Sequence, residues 1–323
     1  MLIVSFIGFQ NDTIHVSSKN QQLDIVLRDG VELNEVNIVT RKLGTMKLRS
    51  SVMNEDMISS AELSRAACCN LGESFVTNPS VDVSYSDAAT GAKQIKLLGL
   101  SGTYVQMLTE NIPNYRGAAA PYGLGYVPGP WMQSIQVSKG TSSVKNGYEA
   151  ITGQINVEFK KPQLPEADWV SANLFASTTN RYEANADATL KLSKRWSTSL
   201  LAHYENETKA HDGNDDGFVD IPQVEQYNVW NRWAYMGDHY VFQAGIKALS
   251  ETRTSGQANH GGTMHSGDLY KVGIDTERYE FFTKNAYIFN KEKNTNLALI
   301  LSTTLHNQDA TYGRKLYNVD QTN

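Results

Sequence analysis

The second half of the chain is dominated by runs in which apolar and polar residues alternate, a pattern typical of β-strands rather than amphipathic helices. Between residues 181 and 193 every even position is Tyr, Ala or Leu, and every odd position is polar or charged. Similar alternation marks five further stretches: residues 169–178, 196–206, 239–249, 279–289 and 296–306. Strands of this length with one apolar and one polar face predict an extended antiparallel sheet.

Two architectures are compatible with such strands. A transmembrane barrel needs strands of this length, joined alternately by tight turns and longer polar loops, with lipid on the apolar face and water or protein on the polar face. Lys194-Arg195 and Gly237-Asp238 read as tight turns. A soluble sandwich is the alternative, although its strands are normally shorter. We expect residues 163–323 to be the N-terminal part of an antiparallel transmembrane β-barrel.

The chain before residue 162 has a different composition and predicts a compact α+β domain over residues 46–162. Helical spacing extends from Ser59 to Val76 and should stop before Asn78-Pro79. Residues 135–161 read as a strand, a turn at Lys139-Gly140, and a second alternating strand that starts after Gly153. Further strands are predicted at residues 81–85, 95–100 and 104–108.

A glycine-rich and tyrosine-rich loop follows Pro113, with the sequence NYRGAAAPYGLGYVPGPW. Exposed tyrosines on a shapeable loop offer rigid, amphipathic contact area to a ligand. The candidate binding residues are therefore Tyr115, Arg116, Tyr122 and Tyr126. The alternative is that this loop is a packed connection whose tyrosines belong to the core.

The N-terminal residues divide into two short segments. Residues 1–28 alternate in brief runs and read as the last strands of a β-sandwich, and residues 29–45 read as a linker. Within the linker, an extended peptide is either a plain connecting strand or a segment displayed for strand addition to a partner; its residues are Leu33, Glu35, Val36, Ile38, Val39 and Thr40. The chain starts without an export-signal pattern and stops in polar residues, so we expect a piece of a longer protein.

Composition excludes several classes of function. The net charge of −5 and the lack of a Lys/Arg cluster argue against a nucleic-acid partner. No pattern of catalytic residues with a suitable context is present, so we expect no enzyme activity. The adjacent pair Cys68-Cys69 is poorly placed for a disulfide; buried, inert thiols on a helix are one interpretation, and a redox or metal role is the other.

One acidic loop resembles a calcium-binding sequence. Its candidate ligands are Asp212, Asn214, Asp216 and Asp220, with Gly217 at the sixth position of the pattern. The twelfth position is Gln223, which cannot supply the usual bidentate carboxylate. A weak Ca²⁺ site and a solvated acidic loop are both compatible with this sequence, and no other cofactor is expected.

Three spaced motifs resemble those of one known family. They are residues 95–102, residues 107–113, and residues 132–161, where Ile135 to Gly140, Asn146-Gly147 and Gly153 to Val157 line up in order. On these motifs the chain resembles an outer-membrane TonB-dependent receptor of the Bacteroidetes type, with a plug domain followed by barrel strands. The common arginine before the first turn glycine is Leu98 here, which cannot make the plug-to-barrel ion pair often found at that point.

The resemblance implies a function and a set of partners. Residues 1–28 would end a carboxypeptidase-regulatory-like domain, and the extended peptide of the linker would be the TonB box. The family imports scarce nutrients across the outer membrane, driven by the TonB complex, so a ferric siderophore or similar metal chelate is expected. Alternatives are cobalamin, an oligosaccharide handed over by a surface lipoprotein, or a barrel that binds without transporting. The family's barrel has 22 strands, and the residues after 165 suffice for about seven.

Overall fold

The structure, a computed structural model, divides into two compact units, residues 1–42 and 43–323. In the first unit, β1 (Leu2–Val4) pairs antiparallel with β2 (Asp12–Ile14). The extended peptide predicted at residues 33–40 lies outside the described residues. Those described are 2–4, 12–14, 25–26, 45–47, 54–65, 69–76, 78–100, 102–141, 149–162, 170–258, 269–290 and 295–323.

Residues 43–162 of the second unit are hereafter called the plug, and the part of them that the structure describes contains one short α-helix and two sheets. Strands β3, β4, β9, β10, β7 and β8 form a six-stranded sheet in that order, and β5 and β6 form a separate hairpin. All neighbours are antiparallel except β7 and β10, which run parallel. The elements are β3 (Thr45–Lys47), β4 (Asn54–Ser59), α1 (Ser60–Arg65), β5 (Val81–Asp87), β6 (Ala92–Leu97), β7 (Val105–Thr109), β8 (Ile112–Pro113), β9 (Met132–Lys139) and β10 (Gly153–Phe159).

The predicted strand, turn and strand of residues 135–161 form the centre of the plug sheet as β9 and β10. Ile135, Val137, Ile155 and Val157 are fully buried in its core, as is Trp131 just before β9. Burial of these apolar side chains is the main favourable contribution to the folding of the plug. The segment of residues 135–161 therefore has a structural role in the core of the plug.

The predicted helix is shorter than its sequence pattern suggests. Only α1 and a 3₁₀ turn at Glu73–Phe75 are helical among the described residues of this stretch. Asn70 interrupts the pattern, because its side-chain oxygen accepts from the Glu73 amide and its side-chain amide donates to the Glu73 carboxylate. Such side-chain bonds to nearby backbone compete with a continuous helix. No helix in the described residues is long and apolar enough to cross a membrane.

The strand predicted at residues 95–100 ends early. β6 stops at Leu97, because Leu98 and Gly99 both adopt positive φ angles and turn the chain. The side chain of Leu98 is 61 % exposed in this turn. The strands predicted at residues 81–85 and 104–108 are present as β5 and β7.

The described residues after 162 form an eight-stranded antiparallel sheet in which every strand pairs with its neighbour in the chain. Within these residues the sheet has one strand more than the seven expected, and its two edge strands, β11 and β18, do not pair with each other. This is the predicted fold class, an α+β plug followed by antiparallel barrel strands. The strands are β11 (Val170–Ala176), β12 (Arg181–Lys191), β13 (Trp196–Glu207), β14 (Gln223–Met236), β15 (Tyr240–Gly256), β16 (Lys271–Asn290), β17 (Thr295–Tyr312) and β18 (Lys315–Thr322).

The burial of this sheet is the reverse of that in a soluble protein. On β12, Glu183 and Asn185 are buried, whereas Tyr182 and Leu190 are about half exposed. The same holds across the sheet, where outward residues include Leu174, Ile246, Leu297 and Leu316, and buried polar residues include Gln226, Asn228, Arg232, Lys247 and Arg278. An apolar outer face with a polar inner face is what a lipid-facing barrel wall requires.

Candidate functional site

The turn between β7 and β8 carries a buried carboxylate from the plug into the barrel wall. Glu110 and Asn111 form this two-residue turn, both with positive φ. The Glu110 carboxylate is 3 % exposed and lies 2.5 Å from Nη2 of Arg232 on β14. Nζ of Lys284 on β16 lies 3.6 Å from the same carboxylate and donates to the Glu110 carbonyl at 2.7 Å. One plug carboxylate is thus shared by two barrel cations.

A second buried cluster follows four residues later. The Asn114 amide donates to Glu280 at 2.8 Å, and its oxygen accepts from Arg278 at 2.5 Å. Nζ of Lys247 donates to the Tyr115 hydroxyl at 3.1 Å. The guanidinium of Arg278 also lies 5.3 Å from the Tyr115 ring centre, within cation–π range. These contacts fix the start of the tyrosine-rich loop to β15 and β16.

The expectation that the loop tyrosines are exposed is wrong. Tyr115, Tyr122 and Tyr126 are 4 %, 7 % and 0 % exposed, as in the packed-connection alternative. The Tyr126 carbonyl accepts from Asn228 and Lys247, so it fastens the loop to the barrel. Burial raises the pKa of Tyr115 and Tyr126, which keeps both hydroxyls neutral.

The two remaining candidates of this loop have different surroundings. Arg116 is partly exposed, and its Nε lies 2.8 Å from the Glu149 carboxylate. Tyr122 lines a cavity, with the guanidinium of Arg253 5.1 Å from its ring centre. The ligand-binding role of all four residues stays a prediction, and the geometry favours it most at Tyr122.

That cavity, hereafter the junction cavity, lies between the plug and the barrel wall and has a volume of about 230 Å³. It is placed where β13 ends and β14 begins, beside the longer connection of residues 208–222; the connections at the opposite end, residues 192–195 and 237–239, are short. Longer loops mark the extracellular end of such barrels. The charged residues of its lining are Glu73, Lys93, Arg181, Glu205, Glu207, Glu251 and Arg253.

Arg181 is the centre of the charge network beside the junction cavity. Its guanidinium lies 2.9 Å from Glu73 of the plug, 2.7 Å from Glu183 and 3.0 Å from Glu205. Cys69 lies in the cavity wall and is buried, and burial raises the pKa of its thiol, which therefore stays protonated. Cys68 lies outside the described residues. A protonated, buried thiol agrees with the inert interpretation of Cys69.

The Glu73–Arg181 contact makes plug docking dependent on pH. Burial acts to raise the pKa of the Glu73 carboxyl, but the charge and hydrogen bond of Arg181 outweigh it, and the net pKa is lowered from 4.5. A lowered folded-state pKa means that the stabilisation is present above the unfolded value and is lost as pH falls through the folded value.

We therefore expect Glu73→Gln to flatten the pH dependence of stability in the acid range. The measurement is the urea midpoint of unfolding, taken from neutral pH down to about pH 3 for the wild type and the variant. The wild type should lose stability more steeply below pH 4.5 than the variant. Equal slopes would show that this carboxylate is not linked to docking.

The predicted calcium loop is folded through its own carboxylates. The two carboxylate oxygens of Asp212 accept from the amides of Asp216 and Gly217, and Asp216 accepts from Phe218. Asp220 accepts from the Gly213 amide, and Asn214 donates to Asp216. These bonds hold the four side chains of the pattern within one compact loop, and Ca²⁺ binding there stays a prediction.

The barrel residues that contact the plug were not identified from the sequence. Arg232, Lys247, Arg278 and Lys284 all occupy inward positions of β14 to β16, where the alternation places polar residues. The alternation could have predicted that these side chains lie on the inner face of the sheet, but it could not have predicted which plug residues they contact. The ion pairs join plug acids to barrel cations at Glu110 and Glu73, away from Leu98.

The geometry defines a class of protein: a small mixed domain seated by buried charges against the polar face of an antiparallel barrel sheet. Residues 47–154 match the TonB-dependent Receptor Plug Domain. Residues 47–154 therefore form a plug domain of this family, and the strands that follow have the antiparallel fold of a barrel wall.

Part of this chain is also similar in sequence to a curated protein. The vitamin B12 transporter BtuB of Vibrio vulnificus (strain CMCP6) is 24 % identical over 185 residues, which cover 57 % of this chain and 30 % of that protein. The chain thus spans about a third of the length of this relative.

Solved structures share the fold at low sequence identity. The siderophore receptor PiuA from Acinetobacter baumannii matches with a TM-score of 0.59 and 13 % identity, over 80 % of this chain and 37 % of that one. The closed form of the ferric-catecholate import receptor Fiu from E. coli K12 matches with a TM-score of 0.60 and 15 % identity, over 84 % and 42 %.

Proposed function

We propose that this protein imports a scarce small molecule across the outer membrane of a Gram-negative bacterium, with energy supplied by the TonB complex. The observation that carries the proposal is the junction cavity, which is enclosed jointly by the plug and the barrel wall at the end with the longer connections. A ligand bound there contacts both parts, so movement of the plug changes its surroundings. This arrangement suits transport better than catalysis.

The partners follow from the same proposal. The TonB complex engages the peptide at residues 33–40 by strand addition, where main-chain hydrogen bonds provide the grip. Outer-membrane lipid covers the apolar face of β11 to β18. A surface lipoprotein that delivers the ligand is a further candidate, and nucleic acid is not expected.

The substrate proposed first is a ferric siderophore or similar metal chelate. The relatives include a vitamin B12 transporter and siderophore receptors, so a cobalamin is the second candidate and an oligosaccharide the third.

A binding or adhesion barrel with a fixed plug is the alternative function. The buried ion pairs at Glu110 and Glu73 favour it to the extent that they resist plug movement. Transport requires that these contacts break or shift during each cycle. The two functions therefore differ in whether the plug is pulled.

Replacing residues 35–39 with a glycine–serine segment of equal length separates the two functions. If the protein transports, we expect uptake to fall to the level of the gene deletion, because the altered peptide cannot add as a strand to a partner. The measurement is growth on single iron or cofactor sources, with a glycine–serine replacement of residues 41–44, which end before β3, as the control. Uptake that survives the replacement at 35–39 would contradict the transport function.

A further inference from the structure

The guanidinium groups of the junction cavity are already occupied. Arg181 is held by three carboxylates, as described above. Arg253 donates through Nη2 and Nε to Glu251 at 3.1 and 3.2 Å, and through Nη1 to the Thr90 carbonyl at 3.2 Å. A ligand with anionic oxygens would have to displace these carboxylates in order to reach either group.

The polar atoms left without strong partners are acceptors. Oε1 of Gln226 accepts no hydrogen bond from the described residues, although Gln226 is only 1 % exposed, and its amide nitrogen donates to Glu251 at 2.8 Å. Glu207 is 7 % exposed, interacts with the Thr179 hydroxyl and more distantly with Arg181, and forms no ion pair within the described residues. Both residues line the junction cavity. Buried acceptors of this kind are costly unless a donor reaches them.

Lys93 is the third cation in the lining of the junction cavity. Nζ of Lys93 lies 5.5 Å from the ring centre of Tyr85 and makes no ion pair within the described residues. Burial is the largest influence on its amine and lowers the pKa of Lys93, although Glu73 opposes this. The lining thus has four glutamates against two occupied arginines and one lysine.

We infer that the junction cavity accepts a cationic group bearing N–H donors, such as an ammonium or guanidinium, rather than the oxyanionic edge of a chelate. This inference rests on the import function proposed above and specifies the substrate class of the same site. With about 230 Å³ the cavity lies below the size of most small-molecule sites, about 300–1,000 Å³. It therefore holds one charged group of a larger ligand, whose N–H donors satisfy Gln226 and Glu207.

A matched pair of probes tests the charge and the donors together. Hexaamminecobalt(III) is a compact cation covered with N–H donors, and hexacyanocobaltate(III) is an octahedral anion with acceptors only. The experiment is calorimetric titration of the full-length protein in detergent micelles with each probe. We expect the cation to bind, the anion not to bind, and Glu207→Gln to weaken cation binding about tenfold.

Two further variants keep the test independent of folding and of other acidic surfaces. Lys93→Gln removes the opposing charge and should strengthen cation binding several-fold, a gain that a misfolded protein would not show. Asp215→Asn, at an exposed position of the acidic loop outside the candidate ligand set, is the matched control and should leave binding at the cavity unchanged. Tighter binding of the anion, or cation binding that depends on Asp215 and not on Glu207, overturns the inference.

The outcomes for the cavity and for transport can be told apart. Cation binding with this dependence on Glu207, combined with uptake that survives the change at residues 35–39, would retain the cavity chemistry and remove the import function. Loss of uptake in that variant, combined with no cation binding at the cavity, would retain the import function and remove the proposed cavity chemistry.

Discussion

Replacing Glu110 with glutamine is expected to destabilise the seated plug by about 3–5 kcal/mol, the usual cost of breaking a buried ion pair. The substitution keeps the shape of the side chain but leaves Arg232 and Lys284 without their shared carboxylate. Arg232 is 2 % exposed and cannot recover its hydration by a small movement. Urea unfolding followed by tryptophan fluorescence would measure the loss.

The control for this prediction is Glu149, a plug carboxylate whose ion pair is partly exposed. Its contact with Arg116 is made by side chains that are 32 % and 39 % exposed. Exposed pairs contribute about 0–1 kcal/mol, so Glu149→Gln should change the unfolding midpoint little. If both variants behave alike, the buried position of Glu110 has no special role in seating the plug.

The import function proposed above requires a plug that is stable at rest and can be displaced by force. Ion pairs and hydrogen bonds to Arg232, Lys247 and Arg278 are directional, so a small displacement weakens them steeply, unlike apolar burial. Water that enters the interface during displacement would then solvate the separated charges. Under this proposal, the plug would separate from the barrel at its polar contacts before its apolar core opens.

Sequence periodicity was sufficient to predict the barrel strands, because apolar and polar residues alternate along each strand. The alternation of residues 181–193 gave both the strand and the side on which Glu183 and Tyr182 lie. It could not show that Arg181 meets Glu73 of the plug or that Glu183 lies close to Cys69, because those contacts join residues far apart in sequence. Register and partner choice depend on the assembled sheet.

The tyrosine-rich loop shows the opposite case. Glycines and prolines predicted an irregular loop, which is correct, but local sequence does not say whether a loop is covered. Tyr115 and Tyr126 are buried because Lys247, Asn228 and Arg278 from three barrel strands surround them. The predicted helix was too long for a similar reason. The apolar spacing predicted which residues are buried, but it could not show that the side-chain hydrogen bonds of Asn70 compete with the helix.

Gly153→Ala is expected to be the most damaging single-methyl change in the plug. A Cβ at this position would lie 2.1 Å from the carbonyl oxygen of Ser138 and 2.5 Å from a methyl group of Leu97. Ser138 belongs to β9, which pairs with β10 through Gly153 and Lys139, so its backbone cannot move without breaking the central strand pair. We expect a loss of about 3 kcal/mol or more, at the upper end of overpacking effects.

Substitutions at two other glycines distinguish the cost of a steric clash from the cost of a strained backbone conformation. Gly140 has φ +90° and no atom within 4 Å of its would-be Cβ, so Gly140→Ala tests conformational strain alone and should cost about 1–2 kcal/mol. Gly273 on β16 also has open space, and its φ is not in the left-handed region, so Gly273→Ala should be nearly neutral. The order of unfolding midpoints, with Gly153→Ala lowest and Gly273→Ala highest, is the measurement. A Gly153→Ala variant as stable as Gly273→Ala would mean that β9 and β10 do not approach as closely as this packing requires.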